Sequence, residues 1–479
     1  MFSVKRRGAA RLAAAALASG LVVAGSIAIA GPAMAEGNNG GGVAATLGRL
    51  AESGEINITV KNDKGESETD TYKGGLFYLD VNGGGSLKAY CIDLFTPTQS
   101  GTKYKEVGWD ESTLHNNADA GKIRWILQNS YPEVDDLTAL ATKANVKGGL
   151  TEDEAAAATQ AAIWHFSDKV EAAPTDAEAK QLTDYLVAKA QKAEDLDEPA
   201  ATLGVSKTSL AGKAGTRLGP TKVSTNASSG AATVSLAADA PKGVQVVDKA
   251  GKPVTTAKDG DELYVDVPAG TPDGSAKVSL QASTKVNIGR AFASVTEKRK
   301  QTLILAGSSE TSAKAEFDAT WAKQGAVPAV DFKENCAKGG VDITVSNKGD
   351  EPWELDLKGV KYSIAAGESK TVTVPVAEDA EYNYTIKGPN GFEKTIKGVL
   401  DCKTATPGPK PSETPTGNPS PSQTPATGGT TSGSTTGGGD LAETGSSNAT
   451  PMIAGIAVAL LAVGGCAVFF LRKKKAAGQ

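Results

Sequence analysis

Histidine and cysteine are scarce in this 479-residue chain, with two of the first and four of the second. Two histidines, His115 and His165, and no clustered cysteines give a metal site no basis. No Gly-rich phosphate loop follows a strand pattern, so nucleotide binding has no support either, and no cofactor is expected. Long apolar runs occur only at the two ends, from Leu12 to about Ala30 and from about Met452 to Leu471. Of the cysteines, Cys466 falls inside the second run, and Cys336 and Cys402 bracket one segment near the C-terminus. Cys91 is left without a partner. An odd cysteine in an exported chain points to a reactive thiol or an unusual bond.

The two ends read as export and anchoring signals. Lys5, Arg6, Arg7 and Arg11 precede or open the first apolar run, which ends in Ala33-Met34-Ala35. That is the layout of a secretory signal peptide, residues 1–35, cleaved after a small residue. A retained anchor is the poorer reading, because a Gly/Asn-rich stretch follows at once. At the other end stands Leu441-Ala442-Glu443-Thr444-Gly445, then the second apolar run, then Arg472-Lys473-Lys474-Lys475. The run, about 20 residues, is long enough for a transmembrane helix, and the basic tail belongs on the cytoplasmic side. The three parts together, residues 441–479, resemble a Gram-positive cell-wall sorting signal. The resemblance implies that a sortase cleaves between Thr444 and Gly445 and joins Thr444 to peptidoglycan. The part left on display carries 42 basic against 55 acidic residues, a net charge of −13. An acidic surface of this kind argues against nucleic-acid partners.

Between the signals the pattern predicts a multidomain, mostly β protein. Residues 36–200 mix strand signals (Ile56–Val60, Leu76–Val81, Leu87–Phe95) with helical ones (Gly121–Asn129, Leu137–Ala144, Thr151–Asp168, Thr175–Ala193). Residues 201–325 show short alternating runs split by Gly, Pro and Asp, including Lys285–Phe292 and Gln301–Leu305, and read as an Ig-like β-sandwich. Residues 326–403 read as a second such module. A Cys336–Cys402 disulfide between its first and last strands would staple it, worth about 4 kcal/mol on chain entropy; two free buried thiols are the alternative. Residues 404–440, rich in Pro, Ser, Thr and Gly, form no packed core and read as a semi-extended, wall-spanning linker.

The chemistry lies in two short motifs, Tyr90-Cys91-Ile92-Asp93-Leu94 and Thr159-Gln160-Ala161-Ala162-Ile163-Trp164. On a strand from Leu87 to Phe95, Cys91 and Asp93 share a face and Tyr90 takes the other. On a helix opened by the capping-box pair Thr151 and Glu154, Gln160 falls in a stripe with Ala156, Ala157, Ile163, Trp164 and Ser167. The stripe is otherwise small or apolar, so Gln160 points inward, and a buried amide must be satisfied or cost about 1–3 kcal/mol. One reading is a glutamine held by backbone hydrogen bonds beside a small buried cysteine. The other is an internal thioester, in which the Cys91 sulfur displaces ammonia from the Gln160 carboxamide.

The two motifs, 69 residues apart at Cys91 and Gln160, resemble those of the thioester domains of Gram-positive surface adhesins. The resemblance covers about Ala44 to Leu196 and extends to about Trp321 as a companion β domain. It implies an α+β thioester domain made of a β-sandwich with a helical part, and a bond between Cys91 and Gln160. It gives Tyr90, Asp93, Thr159 and Trp164 supporting roles in positioning and shielding. It also implies a wall-anchored adhesin, not a turnover enzyme, that couples to an amine on a surface protein or other target. Two alternatives stand beside it. In one, the thioester is only an internal cross-link in a structural or non-covalently binding protein. In the other, Cys91 and His165 form a cysteine hydrolase pair. No motif assigns an internal Lys–Asn or Lys–Asp cross-link to the β modules.

Overall fold

The computed structural model describes residues 41–61, 65–295 and 300–405. The expected signal peptide, Pro-rich linker, sorting pentapeptide and C-terminal membrane run all lie outside the described residues. Among those described, no helix is long and apolar enough to cross a membrane.

The described protein is mostly β with four α-helices. The first strands are β1 (Ala44–Lys61), β2 (Ser67–Val81), β3 (Ser86–Cys91), β4 (Lys103–Val107) and β5 (Glu171–Pro174). Two strands from much later in the chain, Ala291–Ser294 and Leu303–Ser308, complete their sheet. All the pairings are antiparallel and they close on themselves. β1 pairs with β2, β2 with β3, β3 with Leu303–Ser308, that strand with Ala291–Ser294, the latter with β4, and β4 with the start of β1. The first domain is therefore built on a closed ring of strands and not on a sandwich. Closure leaves this part of the molecule with few open sheet edges, and β5 pairs with Ile56–Thr59 near the end of β1.

The ring also corrects the expected boundary at residues 200/201. The strands after 290 return to the first sheet, so residues 201–325 are not a separate module. What remains of that segment forms two sheets. One holds Gln245–Val247, Glu262–Asp266, Arg217–Thr225 and Leu203–Val205; the other holds Thr256–Ala257, Ala232–Leu236, Gly274–Thr284, Thr311–Ala322 and Ser209–Lys213. One apolar core runs from the ring interior (Leu47, Leu79, Leu87, Cys91, Phe292, Leu303) into these sheets (Val223, Val265, Val278, Phe317). Lys285–Phe292 is strand only from Ala291 onward, and Thr311–Ala322 is a long strand whose small, polar residues hid it.

The last module has its own core around Val330, Val341, Ile343, Trp353 and Ile386. Cys336 and Cys402 are bonded, with Cα atoms 5.3 Å apart. Cys336 sits in a 3-10 turn after the module's first strand, Pro328–Asn335, and Cys402 follows its last, Glu393–Val399. The bond thus joins a turn to the chain exit and not two strands.

The helices α1 (Ala120–Asn129), α2 (Leu137–Ala144), α3 (Glu152–Ser167) and α4 (Ala177–Ala190) cover one outer side of the ring. α3 packs on β1, β2, β3 and β5 and also on α1 and α4. Its residues 155–164 are all buried. A helix apolar all round belongs in the interior, so the inward stripe expected around Gln160 widens to the whole circumference. The reciprocal Thr151–Glu154 capping box starts it, the Thr151 hydroxyl accepting from the Glu154 amide at 3.2 Å and the Glu154 carboxylate accepting from the Thr151 amide at 2.7 Å.

Candidate functional site

β3 ends at Cys91, not at Phe95, and the chain then turns away through Ile92–Leu94. Up to that point the strand alternation holds: Cys91 joins the ring interior, and Tyr90 joins the cluster beneath the helices. Cys91 is 1% exposed and Gln160 0%. The Cys91 amide donates to Gln160 Oε1 at 3.0 Å, and Gln160 Nε2 donates to the Cys91 carbonyl at 2.9 Å. Both ends of the carboxamide are therefore held on the backbone of the one residue whose thiol could attack it. Each end of the buried amide has a partner, which answers the first sequence reading, and the amide is also positioned, which suits the second.

The same bonds suit the reaction. The Cys91 N–H already sits on the oxygen that would gather negative charge if sulfur added to the carboxamide carbon. The Asp93 amide donates to Cys91 Sγ at 3.3 Å. Burial pushes the Cys91 thiol well above its ordinary pKa, and the charge of Asp168 adds to this; the nearby Trp164 indole and the Asp93 backbone amide pull the other way. The dry interior that raises the thiol pKa also keeps water from an activated acyl group.

The supporting residues separate into two groups. Asp93 and Trp164 face the site. Asp93 has no exposed surface, and the Trp164 indole is buried, with an N–H that makes no hydrogen bond within normal limits. Tyr90 and Thr159 lie on the far side of the strand. Tyr90 donates to the Tyr131 carbonyl at 2.8 Å, and the Thr159 hydroxyl meets Ser130 at 2.7 Å while bonding back to the Ala155 carbonyl. They fix the strand to the helices without touching the reacting atoms.

Sequence reasoning missed two features. Asp168, the C-cap of α3, accepts the Leu94 amide at 2.9 Å and the Ser167 hydroxyl at 2.6 Å. Burial and the nearby Asp93 raise its pKa to about 7. Gly74 in β2 is the other. A Cβ there would lie 2.6 Å from Ile56, 2.7 Å from the Trp164 ring and 2.9 Å from Gln160 Cγ. A glycine inside a strand pattern was the available signal of such a close approach.

His165 is half-buried and packs edge-on against Phe166, with no hydrogen bond to Cys91. The hydrolase pair is not assembled. His115 pairs with Asn116 and the Ser112 carbonyl. Two groups of three carboxylates lie close together among the described residues, Glu154/Asp176/Glu178 and Glu378/Asp379/Asp401. Glu154 and Asp176 cap helix N-termini, Glu378 accepts from the chain exit, and Asp401 accepts from the Thr302 hydroxyl.

Residues 88–192 match the family model of the thioester domain. No curated protein matches the chain. Among solved structures it is similar to the Bacillus anthracis TIE protein, at 16% identity over 76% of this chain and 81% of that one, with a TM-score of 0.25. It is also similar to the thioester domain of the Enterococcus faecium TIE86 protein, at 18% identity over 59% of this chain and 99% of that one, with a TM-score of 0.26. The family match spans both motifs, so Cys91 and Gln160 stand inside a segment similar to the thioester-domain family.

Proposed function

We propose that the chain is a cell-surface adhesin whose Cys91 and Gln160 close an internal thioester and then couple to an amine on a target surface. The observation that carries this reading is the double hydrogen bond of the Gln160 carboxamide to the Cys91 backbone. In the closing step a bond forms between Cys91 Sγ and the Gln160 carboxamide carbon, the bond from that carbon to nitrogen breaks, and the thiol proton leaves with ammonia. In the coupling step a lysine amine adds to the same carbon and the thiolate departs. Gln160 is then joined to the target by an amide, and Cys91 regains its proton. Each site reacts once, so this is not turnover catalysis. Export by residues 1–35, sortase processing at Thr444 and attachment to peptidoglycan complete the proposal, with an Ig-like last module and the Pro-rich linker as a spacer and the C-terminal run as a transient membrane helix.

A second reading is favoured by one observation, the almost complete burial of both side chains. In it the thioester serves only as an internal cross-link, and any surface binding is non-covalent. Labelling with an amine probe separates the two. Under the adhesin reading the native chain takes up the probe in a bond that survives boiling in denaturant, and Cys91→Ala or Gln160→Ala abolishes it. Labelling that persists in either variant contradicts the mechanism.

A further inference from the structure

We propose that the Trp164 indole N–H is a catalytic donor to the Cys91 sulfur as the thiolate leaves, paired there with the Asp93 backbone amide; this rests on the thioester reading above. The indole is 2% exposed, and its N–H finds no hydrogen-bond partner among the described residues. Leaving a buried donor unmet costs free energy, and such a group in a native fold calls for an explanation. The indoles of Trp109 and Trp321 show the ordinary solution, each donating to a backbone carbonyl at 2.8 Å. The Trp353 indole is also unmet, but its neighbours are the apolar side chains of the last module's core.

Trp164 differs in its surroundings. It shares the ring-interior core with Cys91 and stands one helical turn from Gln160, on the same face of α3. The edge of its ring and the Gln160 stem meet at Gly74, where a Cβ would lie 2.7 Å from the first and 2.9 Å from the second. The indole is thereby fixed beside both reacting groups.

The sulfur already has one donor, the Asp93 amide at 3.3 Å. A neutral sulfur, as thiol or thioester, is a weak acceptor, and the indole N–H stays unmet against it. A thiolate is an anion and draws charge-assisted hydrogen bonds. Burial and the charge of Asp168 oppose ionisation of Cys91, whereas the Trp164 indole and the Asp93 amide favour it. In the coupling step the amine nitrogen bonds to the Gln160 carbonyl carbon, the carbon–sulfur bond breaks, and its electron pair goes to Cys91 Sγ. The amine proton then passes to that sulfur, leaving an amide and a thiol. An N–H that is unmet before the bond breaks and met as it breaks stabilises the transition state more than the ground state, and only such a difference accelerates the step. The Cys91 amide holds the carbonyl oxygen; the indole and the Asp93 amide hold the leaving sulfur.

The test is the rate at which the full chain takes up methylamine, followed by intact mass. Trp164→Phe keeps an apolar ring and removes the donor. The benzothiophene analogue of tryptophan, placed at position 164 alone, removes the donor and keeps the shape as well. Both are expected to carry the ammonia deficit and to take up methylamine about 10- to 100-fold more slowly than wild type. Trp353→Phe, which removes an unmet N–H from the last module, is expected to react at the wild-type rate. The sign separates a donor from a shield, because a ring that only kept solvent out would leave both Trp164 variants faster. Wild-type or faster uptake in Trp164 variants that carry the deficit overturns the donor and leaves the thioester standing, and so does equal slowing in Trp353→Phe. A deficit present in the wild type but absent from both Trp164 variants also overturns it, since the indole would then be needed to build the bond and not to release the sulfur. A deficit missing from the wild type overturns the thioester reading, and the donor falls with it.

Discussion

Gly74 shows how one missing side chain can position a reaction. Its hydrogen lets the Trp164 ring and the Gln160 stem lie directly against β2. Gly74→Ala must push one of them aside, and overpacking of this kind costs about 1–3 kcal/mol. The expected outcome is a lower melting temperature together with loss of most of the ammonia deficit, because Gln160 moves off the Cys91 backbone. A variant that melts lower but keeps the full deficit would show that Gly74 serves packing alone. Cys91 and Gln160 themselves were legible in the sequence, one as an odd cysteine and the other as a polar residue on an apolar helix. Asp168 was not, since an aspartate at a helix end reads as a cap and its burial depends on the loop Ile92–Leu94 folding over it.

At the scale of elements, local signals were readable and distant pairings were not. α3 announces itself through Thr151 and Glu154, and its alanine-rich centre, in which Thr159 and Gln160 are the polar exceptions, explains its depth. The strands Ala291–Ser294 and Leu303–Ser308 look like any other short β run, and nothing local says that they return to pair with β3 and β4 across some 200 residues. The same return creates a junction where the chain crosses between the ring and the adjoining sheets. Glu106 sits there, accepting from the amides of Val43 and Thr202 and from Arg290 Nε at 2.9 Å. Arg290 is also paired with Glu198. Both Glu106 and Arg290 are buried, and removing one member of such a pair costs about 3–5 kcal/mol. Glu106→Ala is therefore expected to lower the denaturant midpoint strongly in equilibrium unfolding, with the ring and the adjoining sheets still unfolding in one transition because they share a core. Two separated transitions in the wild type would contradict that shared core.

Across the whole molecule, the last module packs onto the ring through charged groups. Lys333 bonds Asp110 at 2.6 Å, and Glu111, beside it, faces Lys105 and Glu334. Tyr382 donates to Glu334 at 2.6 Å in the same cleft. Burial, opposed by Lys105 and reinforced by Glu334, raises the Glu111 pKa from 4.5 to about 7. The sign follows from linkage. Below the ordinary pKa both folded and unfolded chains hold the proton. As pH rises toward 7 the unfolded chain releases it first, so the native state loses stability, and the full penalty stands above pH 7. Glu111→Gln removes the titration. Its melting temperature relative to wild type is expected to climb between about pH 4 and pH 7 and then level off; a difference that is flat across that range would place Glu111 in a more solvated setting. This interface, built from surface-type residues spread over the chain, left no local trace in the sequence.

The most direct test of the account is the intact mass of the native full chain, measured without heating, beside its Cys91→Ala variant. The account predicts that the wild type is lighter than its sequence mass by one ammonia, beyond the two hydrogens lost to the Cys336–Cys402 bond, and that the variant lacks the ammonia deficit. Full mass in the fresh wild type, apart from those two hydrogens, would contradict it and leave Cys91 a buried thiol beside a well-satisfied glutamine.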